Sequence, residues 1–207
     1  LRNLKLAYEK RDQTAILTYR TLFDPATYAF LFTPQDCGKP DIPASCRFTY
    51  AEETATAESL FSDPTVEYVR LTFLANAADT VGVADTTRTH PAGTLRFTVT
   101  GIALDVKKRD TTYMTNGSCD FYIAPVDTVS GQAMWRIVQW DDHTAPPPAP
   151  PASAASDDPR RDGPTAGSSR GHPSSVRPTT WGAIKTLYYG PPPPPAASRI
   201  LEDERND

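Results

Sequence analysis

Proline is distributed unevenly along this chain, and its distribution limits which residues can share one folded core. Of the 21 prolines in 207 residues, nine lie in Thr144–Thr180 and five form the run Pro191–Pro195. Without those stretches, the chain retains about the mass of one ordinary domain, which is enough to bury a core. We therefore expect one domain rather than two small ones.

Composition divides the chain into four parts. Residues 1–143 have the character of a folded domain. Residues 144–180 consist mainly of Pro, Ala, Ser, Gly, Asp and Arg, and ordering them would cost roughly 1–2 kcal/mol per residue in backbone entropy with little buried in return. They are predicted to form a disordered tether. Residues 181–190 return to apolar character at helical spacing and are predicted to dock on the core, whereas 191–207 are predicted to be a disordered tail.

Charge and hydropathy argue against a nucleic-acid partner and a membrane span. The net charge is −4, and residues 1–143 carry 14 Lys and Arg against 18 Asp and Glu, a balance that repels phosphate backbones. The cluster Lys107-Lys108-Arg109 is interpreted as a solvated strand end. No stretch reaches the roughly 20 apolar residues that cross a bilayer. We therefore expect neither a nucleic-acid partner nor a membrane span.

The compartment stays open at this point. No signal peptide is visible, but the sequence begins at Leu1. Removal of an N-terminal leader would be compatible with a periplasmic or secreted protein.

The three cysteines form no metal-like pattern. Cys37 and Cys46 flank a loop with two prolines, where a disulfide would be plausible in an oxidising compartment. The alternative is three unrelated thiols, with Cys119 buried in a strand. We expect no metal and no cofactor.

Helical periodicity dominates the first third of the chain. Two short helices are predicted to meet at Arg11-Asp12, with Asp12 as the N-cap of the second. A third is predicted over Glu52–Phe61, with Ala55, Leu60 and Phe61 facing inward. These helices precede most of the strands.

Alternation of apolar and polar residues predicts strands after residue 65. The predicted ranges are 66–75, 95–106, 111–124 and 132–141, with an earlier strand near 27–34. Gly101 is interpreted as a bulge or bend. Sequential pairing of the four later strands predicts one antiparallel sheet and hence an α+β fold.

The order of several segments resembles the nuclear transport factor 2-like superfamily of the polyketide-cyclase (SnoaL-like) and ketosteroid-isomerase kind. The segments are "AYEKRD", "LFDPATYAFLFTP", "ESLF" and "MWRIVQWDD", and "WGAIKTLY" is similar to a C-terminal segment of some bacterial members. The resemblance implies a cystatin-like fold in which helices close one face of a curved sheet. The resulting cone would bind a small apolar ligand at its mouth.

Strand alternation indicates which residues would line such a pocket. On the last strand Trp135, Ile137 and Gln139 share a face, which we assign inward because Arg136 on the other face is costly to bury. Trp140 would then be exposed and form a homodimer contact through the outer sheet face, or be covered by "WGAIKTLY". The predicted pocket-lining residues are Tyr28, Phe30, Phe97, Trp135, Ile137 and Gln139.

The acid–base candidates lie on the later strands. Asp120 and Tyr122 share a strand face, where a buried Asp could act as a base and Tyr could hold a developing enolate. Tyr113, Asp105 and His90 are further candidates, although Asp120 also fits an outward position and His90 a solvated loop. His143 and His172 lie at or inside the predicted tether, which argues against a catalytic role.

Three functions are compatible with these patterns. The leading prediction is a non-catalytic domain that binds a small apolar molecule or a protein partner. The first alternative is an isomerase or dehydratase that uses an Asp/Tyr pair in the cone. The second is an interaction module that presents "PPPAPP" or "PPPPP" as polyproline II to a groove-shaped partner.

Overall fold

The computed structural model describes residues 1–73, 81–145 and 175–189. These residues form four helices and eight strands. The helices are α1 (Arg2–Lys10), α2 (Gln13–Thr21), α3 (Tyr50–Ser62) and α4 (Trp181–Thr186). The strands are β1 (Ala29–Leu31), β2 (Arg47–Thr49), β3 (Val66–Phe73), β4 (Val83–Ala84), β5 (Leu95–Lys108), β6 (Thr111–Val129), β7 (Gln132–Ala145) and β8 (Ser175–Pro178).

The helix boundaries follow from local capping. Arg11 adopts a left-handed conformation (φ 52°) that ends α1, and the Asp12 carboxylate then accepts from the Ala15 N–H at 2.7 Å, as predicted for an N-cap. Thr49 and Glu52 form a reciprocal capping box at the start of α3. None of the helices in the described ranges is long and apolar enough to cross a membrane.

The strands form one mixed sheet in the order β2-β1-β7-β6-β5-β3. The four long strands pair antiparallel in sequence, as predicted. The prediction of a wholly antiparallel sheet is wrong, because β1 pairs parallel with β7 and β8 pairs parallel with β6. The alternation of apolar and polar residues within a strand does not indicate whether that strand runs parallel or antiparallel to its neighbour. The relative direction depends on the path of the chain between the two strands.

Two bulges determine which side chains reach the core. The register of β5 shifts between Val99 and Ile102, which places the predicted bulge at Gly101. A second shift lies in β7, where Gln139 pairs with Tyr122 but Ile137 pairs with Ile123. Val138 is the inserted residue, so Ile137 and Trp140 both belong to the main core cluster.

The predicted orientation of the last strand holds only in part. Trp135 lies on the same side of β7 as Ile137 but is 49 % exposed, so it does not line the core. After the second bulge, Gln139 lies on the opposite face from the main core. Ile137 is buried, as expected. Trp140 is fully buried with its ring centroid 4.7 Å from that of Trp181, so residues 181–186 cover it. The proposed homodimer contact through Trp140 therefore loses its basis.

The helices pack on one sheet face, which we call the helix face and define by Leu71, Leu104, Phe121 and Trp140. The other, termed the open face, is defined by Asp120, Tyr122, Gln139 and Asp141, which alternate with the helix-face residues on β6 and β7. Cys37 and Cys46 form a disulfide in the loop between β1 and β2.

The C-terminal residues 175–189 pack against the helix face. Trp181 and Ile184 are each 1 % exposed, and β8 extends the sheet beside Thr111–Met114. Within the predicted tether, Thr144 and Ala145 belong to β7 and Ser175–Pro178 form β8. The proline-rich segments 146–151 and 191–195, together with His172 and the predicted tail, lie outside the described residues.

Candidate functional site

The helix face contains a buried ion pair. The ammonium of Lys185, from α4, contacts the Glu53 carboxylate of α3 and lies 4.0 Å from the ring centroid of Phe30 and 4.8 Å from that of Trp140. The side chains of Lys185 and Glu53 are 5 % and 1 % exposed. We call Glu53, Lys185, Phe30, Trp140 and Tyr19 the lysine site.

Local structure explains how these groups meet. Glu53 lies in the first turn of α3, on the same side as Ala57 and Leu60, so its carboxylate projects into the core. Lys185 lies four residues after Trp181 and shares its buried side of α4. Tyr19 of α2 donates a hydrogen bond to Glu53, and its hydroxyl lies 3.3 Å from that of Tyr8.

Burial and charge oppose each other in this site. Burial lowers the pKa of Lys185, whereas the carboxylates of Glu53 and Asp142 act to raise it. Burial, reinforced by the negative charge of Glu53, raises the pKa values of Tyr19 and Tyr28 well above 10. Both tyrosines are therefore neutral, and Tyr19 acts as a hydrogen-bond donor to Glu53. Removing one partner of such a pair leaves a buried charge without compensation.

A second set of carboxylates holds the N-terminus of α4. The Gly182 N–H donates to Asp142 Oδ2 at 3.1 Å, and the N-cap Thr180 donates through its hydroxyl to Asp36 at 2.6 Å. Thr144 donates to the other Asp142 oxygen and accepts from the Trp181 N–H at 2.9 Å. Burial raises the pKa of Asp142 to about 6, although these hydrogen bonds act to lower it.

Little space remains around the lysine site. The cavity beside Lys185 has a volume of about 10 Å³, which approaches the size of one water. Pockets for organic ligands are typically about 300–1,000 Å³. Glu53 and Thr56 line this cavity, and Glu53 Oε2 and the Thr56 hydroxyl have no hydrogen-bond partner among the described residues. With α4 in place, this cavity is too small for the predicted small apolar ligand.

The predicted acid–base residues are divided between the two faces. Asp120 and Tyr122 share the open face, away from the lysine site, whereas Tyr113 packs against the main core cluster. Thr98 donates to Asp120 across the strands, and His143 Nε2 lies 3.5 Å from Asp120 Oδ2. Tyr113 therefore lies on a different side of the sheet from the other two candidates.

The pocket-lining candidates are also divided. Tyr28 and Phe30 are buried in the main core cluster, with Phe97 partly buried against it.

Asp105, a further acid–base candidate, pairs in register with Arg70 on β3. Burial raises the pKa of Asp105, while the charge of Arg70 opposes the rise. No group of three or more potential ligands within the described ranges is arranged to hold a metal ion.

His90 is not the solvated loop residue that the sequence indicated. Its Nδ1 lies 2.7 Å from Asp85 and its Nε2 lies 3.0 Å from Gln139 Oε1, and its ring stacks on Tyr122 with centroids 4.3 Å apart. Gln139 in turn donates to Asp141 at 2.7 Å. Both His90 nitrogens therefore lie within hydrogen-bond distance of side-chain oxygens. The hydrogen bond from His90 lowers the pKa of Asp85.

Sequence reasoning missed Glu53 and Lys185. The available signal was position: Glu53, Ala57 and Leu60 follow helical spacing, so a carboxylate continues an apolar stripe. Lys185 stands in the same relation to Trp181. Charged residues on a buried stripe indicate a paired site.

Comparison with known proteins assigns this chain to no family. No family model and no curated protein matches the sequence. Among solved structures, AusH from Aspergillus nidulans is similar over 68 % of this chain and 76 % of its own, with 14 % identity and a TM-score of 0.39.

Proposed function

We propose that this chain is a non-catalytic binding module of the nuclear transport factor 2-like kind, whose cone binds a lysine-bearing protein segment. Residues 175–189 of the same chain occupy the proposed binding place, with α4 on the helix face and β8 beside β6, and a partner segment of the same chemistry would replace them. The observation that carries this proposal is the position of Lys185 between the Glu53 carboxylate and the rings of Phe30 and Trp140.

The charge of the cone favours a protein segment over a small apolar molecule. An apolar ligand that replaced α4 would leave the Glu53 carboxylate buried without a cation, at a cost of several kcal/mol. A segment that carries a lysine compensates this charge. Between the two partners predicted from the sequence, the protein partner is therefore the better fit.

The contacts of residues 175–189 combine two modes by which domains recognise peptides. β8 adds a parallel strand beside Thr111–Met114, with the Ser175 N–H on the Asp110 carbonyl at 2.9 Å and the Thr179 N–H on the Met114 carbonyl at 2.9 Å. α4 then lays Trp181 and Ile184 into the apolar face. Strand addition and helix binding in a groove are both recurrent recognition modes.

The test is segment exchange in the full chain. A protease site is introduced within 146–174, the folded protein is cleaved, and a fluorescent peptide of residues 175–189 is added. We expect a saturable rise in anisotropy that the unlabelled peptide reverses. A peptide with Trp181→Ala should fail to compete, whereas one with Val176→Ala should compete normally, because Val176 is 57 % exposed. Unfolding of the protein on cleavage would show that the segment is only a structural part of the core.

A second candidate is the enzyme alternative, moved from the cone to the open face. It is favoured by the hydrogen-bonded chain from Asp85 through His90 and Gln139 to Asp141, beside the Tyr122 ring. A cavity of about 170 Å³ lined in part by Asp85 and Arg96 adjoins this chain. A histidine oriented by a carboxylate is a common proton-transfer group.

A ketone–enol exchange assay tests this candidate. If the open face is catalytic, His90→Gln and Tyr122→Phe should each lower the exchange rate. Leu17→Ala, a change at an exposed residue of α2, serves as the control. An exchange rate that is the same for all these variants would exclude a catalytic role for this face.

A further inference from the structure

The lysine site has the composition of an ammonium-binding site. It supplies one carboxylate, Glu53, and the rings of Phe30 and Trp140 around the same cation. A carboxylate provides charge-assisted acceptors, and aromatic faces attract cations most strongly where water is excluded. These groups contact the ammonium itself, so they recognise its charge and its N–H donors rather than the rest of the segment.

Two buried acceptors in the same place indicate further capacity for donors. Glu53 Oε2 and the Thr56 hydroxyl have no hydrogen-bond partner among the described residues. Both residues line the small cavity and are 1 % and 4 % exposed. A primary ammonium has three N–H donors, whereas an alcohol has one and a quaternary ammonium has none. The cavity of about 10 Å³ also leaves no room for a larger head group.

We propose that the lysine site is a binding site for primary alkylammonium groups, so that a free amine as long as the removed part of the side chain binds there when Lys185 is truncated. This inference rests on the proposed function, since it concerns the same cone. It names the feature that a displacing partner must present, namely an unmodified lysine side chain. Acetylation of that lysine would remove the recognised charge.

Chemical rescue in the full chain tests this assignment. Lys185→Ala removes the side chain beyond Cβ, namely three carbons and the ammonium, and leaves a slot that n-propylammonium would fill. We expect n-propylamine to raise the thermal midpoint of this variant in a saturable manner, with an affinity at least about tenfold above that of n-propanol. Tetramethylammonium at equal ionic strength should have no specific effect. Wild-type protein, whose site is occupied, should not respond to the amine.

A second substitution shows which group provides the selectivity. In the double variant Lys185→Ala/Glu53→Gln, the preference for n-propylamine over n-propanol should disappear. Equal stabilisation of Lys185→Ala by the two compounds would overturn the proposal and identify the slot as merely apolar. No stabilisation by either compound would overturn it as well.

Refolding covers the case in which Lys185→Ala does not fold alone. The variant is then diluted from urea into buffer with n-propylamine or with n-propanol. Recovery in the amine alone supports the proposal, and equal or absent recovery overturns it. The outcome is separate from the proposed function, because normal segment exchange without amine selectivity would leave the binding module in place and refute only the ammonium site.

Discussion

Trp181 provides a direct measure of how much residues 175–189 contribute to the fold. Its side chain is 1 % exposed, and its ring lies 4.7 Å from that of Trp140 and 5.7 Å from that of Tyr8. A buried tryptophan removes about 200 Å² from water, which at about 25 cal/mol per Å² corresponds to about 5 kcal/mol. Truncations of this kind cost about 3–5 kcal/mol. We expect Trp181→Ala to lower the free energy of unfolding by about 3–5 kcal/mol.

Urea denaturation followed by circular dichroism measures this loss. The midpoint should fall by roughly 1–3 M urea while the slope stays unchanged. Leu187→Ala is the matched control, because Leu187 belongs to the same segment but is 49 % exposed, and it should change stability by no more than about 0.5 kcal/mol. A loss below about 1 kcal/mol for Trp181→Ala would refute the conclusion that the segment is packed into the core.

Three further predictions concern ionisation, cross-linking and the buried ion pair. Folded Asp142 holds its proton up to about pH 6, whereas the unfolded carboxyl releases it near 3.8, so the folded chain binds more protons between these values. The free energy of unfolding should therefore fall by about 3 kcal/mol as pH rises through this window, and the difference between wild-type and Asp142→Asn profiles measures this. Cys37 and Cys46 are nine residues apart, and replacing both by Ser should lower the free energy of unfolding by about 2–3 kcal/mol. Urea denaturation under non-reducing conditions measures this loss, and an unchanged stability would indicate free thiols. Glu53→Gln should lower the free energy of unfolding by about 3–5 kcal/mol, because it leaves the Lys185 ammonium buried without a carboxylate. Adding Lys185→Met should recover part of this loss, since no buried charge then lacks a partner. A double variant whose loss equals the sum of the two single losses would contradict this coupling.

Several features of the fold were readable from the sequence because local physics decides them. Asp12 caps α2 through its own carboxylate, and Gly101 marks a bulge because glycine tolerates the irregular backbone there. Tyr28 and Phe30, which were predicted to line a pocket, are buried in the main core cluster. In α3, by contrast, Ala55 is exposed although it was expected to face inward, because that side of the helix points to solvent.

The candidate site was not readable in the same way. Glu53 and Lys185 are separated by 132 residues, and neither has a local partner that marks it as buried. His90 lies in a loop whose position over Tyr122 depends on contacts with β7. Such pairings arise from folding of the whole chain and leave no periodic signal.

The sequence by itself determined the α+β class and the order of the first three helices and of strands β1, β3, β5, β6 and β7, because composition, capping and periodicity act over a few residues. Only the tertiary structure decided that β1 runs parallel to β7, that the bulge at Val138 turns Trp140 to the helix face, and that Lys185 reaches Glu53. One inserted residue reverses every later prediction from strand alternation, and a buried charge is stable only beside a partner that the fold brings to it.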